Sequence, residues 1–329
     1  MKVLVLGSTG LLGYNISKKA LELGHEVYAF HRPTSEIQPL LTLKGIQRVV
    51  GDIKEPQSLE VAVKGMDVVI STANAVSPRY KTDTFKAIDR DGNIALIEAA
   101  KKASIRQFIY TSAISFQHYD KQIPLSKVKR AVEKKLMESG VNYTIFRPAA
   151  FMDIYFAFFG TDIVLNNNPA HSLTRDYPFA RKFFNGIRND IVQKGQFNLS
   201  GKGDKRTSFI SVNDVAEFHV RAIGNTKVYN RIIEIGGPQS LTPLEVKAIF
   251  EKHLNVHLKT KTTPPFVLNI ISKILSPFNE HASNIMALNY VNTQTDSIID
   301  DTEMIAEEFG IKLTSAEDYI ASKIKISDF

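Results

Sequence analysis

The sequence predicts an α/β fold, a doubly wound parallel sheet with a smaller C-terminal substrate-binding portion. The first observation is a β-branched apolar run, residues 3–6, that ends on a glycine-rich turn where an amphipathic pattern begins. The second is that strand-like and helix-like patterns alternate up to about residue 150. Strands separated by helix-length patterns indicate right-handed crossovers and a parallel sheet with helices on both faces.

The elements of this first region follow from the period of the apolar residues. Strands are expected at residues 2–6, 26–30, 47–50, 67–71, 107–111 and 143–146. Helices are expected between them, at residues 11–23, 56–64, 84–102 and 124–138. The last helix begins at Pro124 and has Gly140 just beyond its end, which are typical boundary residues.

The alternation weakens after residue 148, and residues 160–206 are predicted to be loops with short elements. Regular signals return with a strand at residues 207–210 and a helix that opens at residues 211–214. Thr242 and Thr314 each begin a capping box, with Glu245 and Glu317 three residues later. The glycine-rich turn between the first strand and the first helix is typical of dinucleotide binding, so we expect an NAD(P)-binding domain over residues 1–150 and an interleaved substrate or partner portion over residues 151–329.

Composition excludes several classes of protein. The chain has no cysteine, so disulfides, thiolate catalysis and cysteine-ligated zinc are excluded, and no metal site is predicted. The net charge of +7 is spread along the chain, which favours a solvated basic surface over nucleic-acid binding and suits a polyanionic cofactor. A core strand directly after Met1-Lys2 leaves no room for a signal peptide, so a cytoplasmic location is expected. The protein is expected to be a monomer or a homodimer.

Two stretches are apolar enough to raise the question of a membrane span: residues 151–165 and 264–278. Spanning a bilayer takes about 20 apolar residues, and both stretches are shorter. They are interpreted as buried or pocket-lining segments, with peripheral membrane contact as the alternative.

The turn after the first strand has the spacing G-x-x-G-x-x-G. Glycines there let the backbone approach a pyrophosphate, and the amides and positive dipole end of the following helix bind its phosphates. The strand–turn–helix context predicts a Rossmann-type dinucleotide site, with an ordinary tight turn as the alternative. The predicted cofactor-binding residues of this turn are Gly7, Ser8, Thr9, Gly10, Leu11, Leu12 and Gly13.

The end of the second strand predicts which nicotinamide cofactor binds. An acidic residue there would bond the adenosine ribose, but the chain has His31 and Arg32 instead. Arg32 can stack on adenine and pair with a 2′-phosphate, so NADP is preferred over NAD. The alternative is a surface arginine in a turn. After the third strand, Asp52 either accepts a bond from adenine, with Ile53 beside it, or caps the next turn.

Further cofactor contacts are expected where other strands end. Thr72, Ala73 and Asn74 are small residues after the fourth strand, Thr111 ends the fifth, and Pro148 follows the sixth. Ser112 lies beside the expected nicotinamide and could hydrogen-bond a substrate carbonyl. An aromatic run is predicted to wall the substrate site, with core or a dimer face as the alternative: Phe151, Tyr155, Phe156, Phe158 and Phe159.

Several motifs share the order and spacing of one family. They are residues 7–13, 51–52, 91–93, 96–100, 110–112, 141–148, 209–216 and 236–238. Over most of residues 1–250 the chain resembles atypical, extended short-chain dehydrogenases/reductases, in the branch of NmrA-like regulators and isoflavone-reductase-like enzymes. The last 80 residues match weakly. The resemblance implies a Rossmann fold that binds NAD(P).

Most members of that superfamily carry a Tyr-x-x-x-Lys pair on one face of the helix after the fifth strand. The lysine corresponds to Lys129, but the tyrosine position holds Leu125; the other register pairs Lys127 with Ile123. Isoflavone-reductase-like members also lack the tyrosine, so the resemblance implies that Lys129 binds the nicotinamide ribose and transfers a proton. The alternative is a solvated pair with Glu133.

Three functions remain open from the sequence. The first is an NADP-dependent reductase of a small apolar carbonyl or alkene, with Lys129 and Ser112 as its catalytic residues. The second is a non-catalytic NADP-sensing regulator or assembly factor, which has a protein partner. The third is a nucleotide-sugar epimerase or dehydratase, against which Leu125 argues because that chemistry also uses the tyrosine.

Overall fold

The strands follow the predicted order along the chain. They are β1 (Lys2–Leu6), β2 (Glu26–His31), β3 (Gln47–Val50), β4 (Val68–Ser71), β5 (Gln107–Thr111), β6 (Tyr143–Pro148), β7 (Gln196–Ser200), β8 (Arg231–Ile235) and β9 (Lys259–Thr263). Seven of them form one sheet in the order β3-β2-β1-β4-β5-β6-β8, and β7 pairs with β9 in a second. The pairs from β3 to β6 are parallel. This order confirms the Rossmann-like α/β fold.

The α-helices alternate with the strands in the first half of the chain and dominate the second. They are α1 (Leu11–Glu22), α2 (Gln38–Leu41), α3 (Pro56–Ala62), α4 (Asn93–Lys102), α5 (Pro124–Met137), α6 (Met152–Phe158), α7 (Asp190–Lys194), α8 (Val212–Ala222), α9 (Pro243–Leu254), α10 (Pro265–Leu275), α11 (Glu280–Val291), α12 (Thr302–Phe309) and α13 (Ala316–Ser327). A π-helical segment, Phe85–Gly92, occupies the first half of the helix expected at 84–102.

This computed structural model describes residues 1–166, 168–178, 185 and 189–327. The chain divides into two compact units. Unit 1 contains Met1–Ala113, Leu125–Arg147 and Val215–Ile233; unit 2 contains Ile114–Pro124, Pro148–Asp214 and Glu234–Phe329. Part of the stretch 160–206, predicted as loops, lies outside the described residues. The assignment of cofactor binding to residues 1–150 and of substrate binding to residues 151–329 stays a prediction.

Two local predictions after residue 200 need correction. The strand expected at 207–210 is not formed, because Thr207 and Ile210 make only isolated bridges to different segments. The capping box expected at Thr314 and Glu317 is not formed, and Ser315 caps the helix instead. Ser315 Oγ accepts the Asp318 N–H at 3.0 Å, whereas Thr314 bonds Asp214. The capping box of Thr242 and Glu245 is confirmed.

Each unit has its own apolar core. In unit 1 the residues of β1 from Val3 to Leu6 are fully buried, as expected for a parallel strand covered on both faces. Unit 2 has an aromatic core, in which Phe156 lies 5.1 Å from Phe209 and 6.1 Å from Phe250 between ring centroids.

Candidate functional site

The glycine motif that joins β1 to α1 needs two of its three glycines, Gly7 in the turn and Gly13 in the first turn of α1, for its own geometry. Gly7 has a φ of +80°, and a Cβ there would lie 2.4 Å from Thr72 Oγ1. A Cβ on Gly13 would lie 2.3 Å from the Gly7 carbonyl oxygen. Gly13 therefore has a packing reason for being glycine, in addition to the cofactor role that the sequence predicts.

Gly10 differs from these two glycines. It is the N-cap of α1 with φ −88° and ψ 169°, an extended conformation open to any residue. Within 4 Å of a Cβ there, the nearest atom is the Gly7 carbonyl oxygen at 3.2 Å. As a glycine, the N-cap makes no side-chain hydrogen bond to α1, and the first turn of α1 has no acidic residue. Uncapped amides and the positive end of the helix dipole fit an anion such as a pyrophosphate.

Two hydroxyl groups in and next to this turn donate hydrogen bonds to backbone carbonyl oxygens of β1 and β2. Ser8 Oγ donates to the Phe30 carbonyl oxygen at 2.9 Å, and Thr72 Oγ1 donates to the Leu6 carbonyl oxygen at 3.0 Å. After β4, Asn74 Oδ1 accepts the Val76 N–H at 3.1 Å. These side chains are engaged within unit 1. Their main chain, with that of Thr9, Leu11, Leu12 and Ala73, remains the predicted contact surface for the cofactor.

The end of β2 carries a buried nitrogen without a partner. His31 is buried, and its Nδ1 lies 3.0 Å from the Arg32 carbonyl oxygen. Its Nε2 has no hydrogen-bond partner among the residues that the structure describes. Because buried polar atoms are almost always hydrogen-bonded, this nitrogen marks a position for a polar ligand group.

Arg32 is not a simple surface arginine. Its Nη1 bonds both carboxylate oxygens of Asp83, at 3.0 and 2.8 Å, and its guanidinium lies 5.4 Å from the Tyr80 ring centroid. Lys54 Nζ lies 3.3 Å from the same carboxylate. Burial alone would raise the pKa of Asp83, but the bonds from Arg32 and Lys54 outweigh it and lower that pKa.

The end of β2 has no acid in sequence, as stated above, but the fold brings one to Arg32 from elsewhere in the chain. Asp83 lies 51 residues further along the chain, beyond β4, where no sequence spacing connects it with the end of β2. Asp52 Oδ1 accepts the Lys54 N–H at 2.9 Å, so this aspartate caps the next turn, as the alternative interpretation had it. Ile53 is buried in the core of unit 1.

Lys129 is buried at the carboxyl end of β5. Its Nζ donates to the Thr111 carbonyl oxygen at 3.0 Å and lies 3.6 Å from Asp89 Oδ1. Burial lowers the pKa of Lys129, while Asp89 acts in the opposite direction. The alternative of a solvated pair with Glu133 is wrong, because Lys129 points inward and its counter-charge is Asp89, on the π-helical segment.

Glu133 instead binds two arginines. Its carboxylate accepts from Arg147 Nε at 3.0 Å and Nη2 at 2.7 Å, and it also pairs with Arg130. Arg130 additionally bonds the Ala113 carbonyl oxygen and lies 3.5 Å from Ser112 Oγ. Burial would raise the pKa of Glu133, but the arginines lower it. Sequence analysis did not identify this network, for which the only signal was the spacing of Arg130 and Glu133.

Thr111 also contacts a buried histidine. His219 Nδ1 lies 2.8 Å from the Val215 carbonyl oxygen, which can only accept, so this nitrogen carries the hydrogen. Its Nε2 accepts from Thr111 Oγ1 at 2.8 Å. Burial lowers the pKa of His219 to about 4. The neutral ring thus fixes the side chain of Thr111 at the end of β5.

This histidine predicts a pH dependence of stability. Above its ordinary pKa of 6.5, His219 is neutral in both the folded and the unfolded chain. As the pH falls from 6.5 to about 4, only the unfolded chain gains its proton. Wild type therefore loses about 1.4 kcal/mol of unfolding free energy per pH unit from this residue. Urea unfolding measures the unfolding free energy of wild type and His219→Gln between pH 7 and 5. This free energy should fall less steeply with decreasing pH in the variant. Equal pH dependence in both proteins would contradict the low pKa of His219.

In unit 2 the aromatic run is largely core. Tyr155, Phe156 and Phe159 are buried, whereas Phe151 and Phe158 are half-buried. A cavity lined partly by Tyr155, Phe158 and Phe159 has a volume of about 30 Å³, which holds about one water molecule. The role of the run as a substrate wall stays a prediction, as does a cofactor contact of Pro148, whose carbonyl oxygen accepts the Ile114 N–H at 3.1 Å.

Comparisons with known proteins agree with this fold. The NmrA-like family matches residues 1–320. The photosystem II assembly factor Ycf39 of Trieres chinensis is 27% identical over 285 residues, 87% of this chain and 79% of that protein. A bifunctional pinoresinol-lariciresinol reductase of Linum album is 27% identical over 278 residues, 78% of this chain and 74% of that protein.

Among solved structures, the NADPH-dependent quinone oxidoreductase QOR2 of Escherichia coli, complexed with NADPH, superposes with a TM-score of 0.73. The two are 16% identical, and the match covers 98% of this chain and 99% of that one. At this identity the likeness shows the fold alone. The match to the family over nearly the whole length decides the assignment: this chain belongs to the NmrA-like family.

Proposed function

We propose that this NmrA-like protein binds NADP(H) at the carboxyl ends of the strands in unit 1. The observation that carries the proposal is the N-terminus of α1, where the N-cap Gly10 has no side chain and only the Gly7 carbonyl oxygen lies near its Cβ position among the described residues. The buried His31 Nε2 at the end of β2, which has no partner in the part of the chain that the structure describes, is a second feature that fits a bound nucleotide. The NADPH in the Escherichia coli quinone oxidoreductase, which has the same fold, supports the choice of ligand.

Thermal unfolding with NADPH, NADH or no ligand tests this proposal. A ligand that binds only the folded chain stabilises it by about 2.7 kcal/mol when present at 100 times its dissociation constant. We expect an increase in melting temperature with NADPH, and a smaller increase with NADH at the same concentration. An unchanged melting temperature with both cofactors at millimolar concentration would contradict the proposal.

Arg32 is proposed to bind the 2′-phosphate that distinguishes NADPH from NADH. Charge-assisted bonds of this kind are worth about 1.5–3 kcal/mol, so Arg32→Ala should weaken NADPH binding by about one to two decades. NADH binding should stay nearly unchanged. Arg48→Ala removes the same charge from an exposed position on β3 and is the matched control. Calorimetric titration measures both affinities, and equal losses for the two cofactors would contradict the role of Arg32.

We further propose that the protein is a reductase of a small apolar carbonyl or alkene. Bound NADPH would supply the hydride, and the chain must supply orientation and a proton. Lys129 carries this proposal, because it lies at the end of β5 and its burial lowers its pKa towards the range useful for proton transfer. Ser112 and Arg130 are polar neighbours at the same strand end. The pinoresinol-lariciresinol reductase relative supports a reduction.

The second candidate is an NADP-sensing regulator or assembly factor without turnover. Leu125 in place of the usual phenol and the pairing of Lys129 with Asp89 favour it, as does the Ycf39 relative. A panel of carbonyls and enones separates the two candidates. Any substrate-dependent oxidation of NADPH favours the reductase, whereas NADPH binding without turnover favours the regulator. Leu125 also argues against epimerase or dehydratase chemistry.

A further inference from the structure

Helix α10 presents an apolar face to solvent. Phe266, Ile270 and Ile274 are 64%, 51% and 61% exposed, and Phe278, just after the helix, is 85% exposed. Their spacing of four residues puts the three helical side chains on one face. This finding corrects the expectation that residues 264–278 are buried or pocket-lining. An exposed stripe of this kind marks an interaction site.

The other face of α10 is already occupied by α11. Leu268 and Ser272 are buried there. Ser272 Oγ donates to the Ser283 carbonyl oxygen at 3.0 Å, and Ser283 Oγ donates to the Ser272 carbonyl oxygen at 2.9 Å. These reciprocal bonds fix the rotation of α10 about its own axis. The apolar stripe is therefore held outward by the fold and does not result from a loose helix.

The charge near the stripe in sequence is mainly positive, with one carboxylate, Glu280, at the start of α11. Residues 259–279 contain three lysines, Lys259, Lys261 and Lys273, and no carboxylate. All three lysines are exposed, two of them on β9, which leads directly into α10. Within the described ranges, no helix has the length and apolarity to cross a membrane. An exposed apolar helix face, with exposed lysines on the helix and on the strand before it, fits a helix that lies in the plane of a membrane interface.

We propose that α10 and Phe278 dock this protein on an anionic membrane surface. The stripe would enter the boundary between headgroups and acyl chains, while Lys259, Lys261 and Lys273 contact lipid phosphates. An anionic lipid surface fits this combination, because its acyl chains and phosphates can receive the apolar stripe and the exposed lysines together. This proposal goes beyond cofactor binding and is independent of it.

Sedimentation with vesicles tests the proposal. The full chain should bind vesicles of phosphatidylcholine and phosphatidylglycerol (7:3) and bind pure phosphatidylcholine much more weakly. Ile270→Asp/Ile274→Asp should reduce binding to the anionic vesicles at least about tenfold, because each isoleucine gains from leaving water. Lys259→Gln/Lys261→Gln should reduce it about tenfold or more, since each lysine contributes about fivefold.

The matched control is Val61→Asp/Met304→Asp, which places the same charge at residues that are 66% and 64% exposed on other helices. It should bind vesicles like wild type, and all variants should keep the wild-type melting temperature because the replaced side chains face water. Three results would overturn the proposal. They are no binding by wild type, unchanged binding by the isoleucine variant, and a dimer that only the isoleucine variant dissociates while vesicles stay unbound.

Discussion

A Gly10→Val variant is expected to lose NADPH binding at least about a hundredfold and to keep its fold. Gly10 has extended backbone angles, and a Cβ there has one near neighbour, the Gly7 carbonyl oxygen at 3.2 Å. The added side chain would therefore occupy the space in front of the α1 amides. Losing two charge-assisted bonds of about 1.5–3 kcal/mol each corresponds to at least about a hundredfold in affinity.

Fluorescence titration measures the NADPH affinity of the variant, and thermal melting followed by circular dichroism shows whether it keeps its fold. Gly13→Ala, in the same glycine motif, is the comparison variant for stability. Its Cβ would lie 2.3 Å from the Gly7 carbonyl oxygen, so this variant should lose stability. Wild-type NADPH affinity in a folded Gly10→Val variant would mean that the turn does not bind the pyrophosphate.

Much of unit 1 could be predicted from local patterns. The six strands expected before residue 150 form within two residues of their predicted bounds, because apolar β-branched runs and glycine turns act over short distances. The π-helical segment Phe85–Gly92 was not predictable, since its apolar spacing resembles that of the α-helix it precedes. Local period thus predicts which elements form but not the exact winding of each turn.

The ion pairs of the candidate site could not be predicted in the same way. Asp83 and Asp89 reach Arg32 and Lys129 only after the sheet has placed its strands in the order β2-β1-β4-β5. The spacing of residues along the sequence does not indicate which distant side chains will form ion pairs. Arg32 and Lys129 therefore stay predicted site residues, and the sequence analysis missed their charge partners.

The interpretation of residues 264–278 was wrong for a different reason. An apolar run indicates that side chains gain from leaving water, but not whether this chain covers them. In α10 only one face meets α11, through Leu268 and Ser272, and the rest of the apolar surface stays exposed. Composition alone cannot distinguish a core helix from a docking helix of equal length.

If the protein is a reductase, Lys129→Met should lower turnover at saturating NADPH by about 10²–10⁴-fold, the usual effect of losing an acid or base. The wild-type pH–rate profile should have one basic limb that the variant lacks. This variant also leaves the fully buried Asp89 carboxylate without its lysine. Breaking a buried pair in this way costs about 3–5 kcal/mol of stability. Lost turnover alone therefore cannot separate chemistry from misfolding.

The double variant Lys129→Met/Asp89→Asn separates these effects, because it removes both charges of the buried pair. It should regain most of the melting temperature that Lys129→Met loses, yet its turnover should stay as low as that of the single variant. Asp89→Asn alone should remain active, because Lys129 keeps its bond to the Thr111 carbonyl oxygen. If the double variant recovers wild-type turnover together with its stability, Lys129 serves to hold the fold and another group delivers the proton.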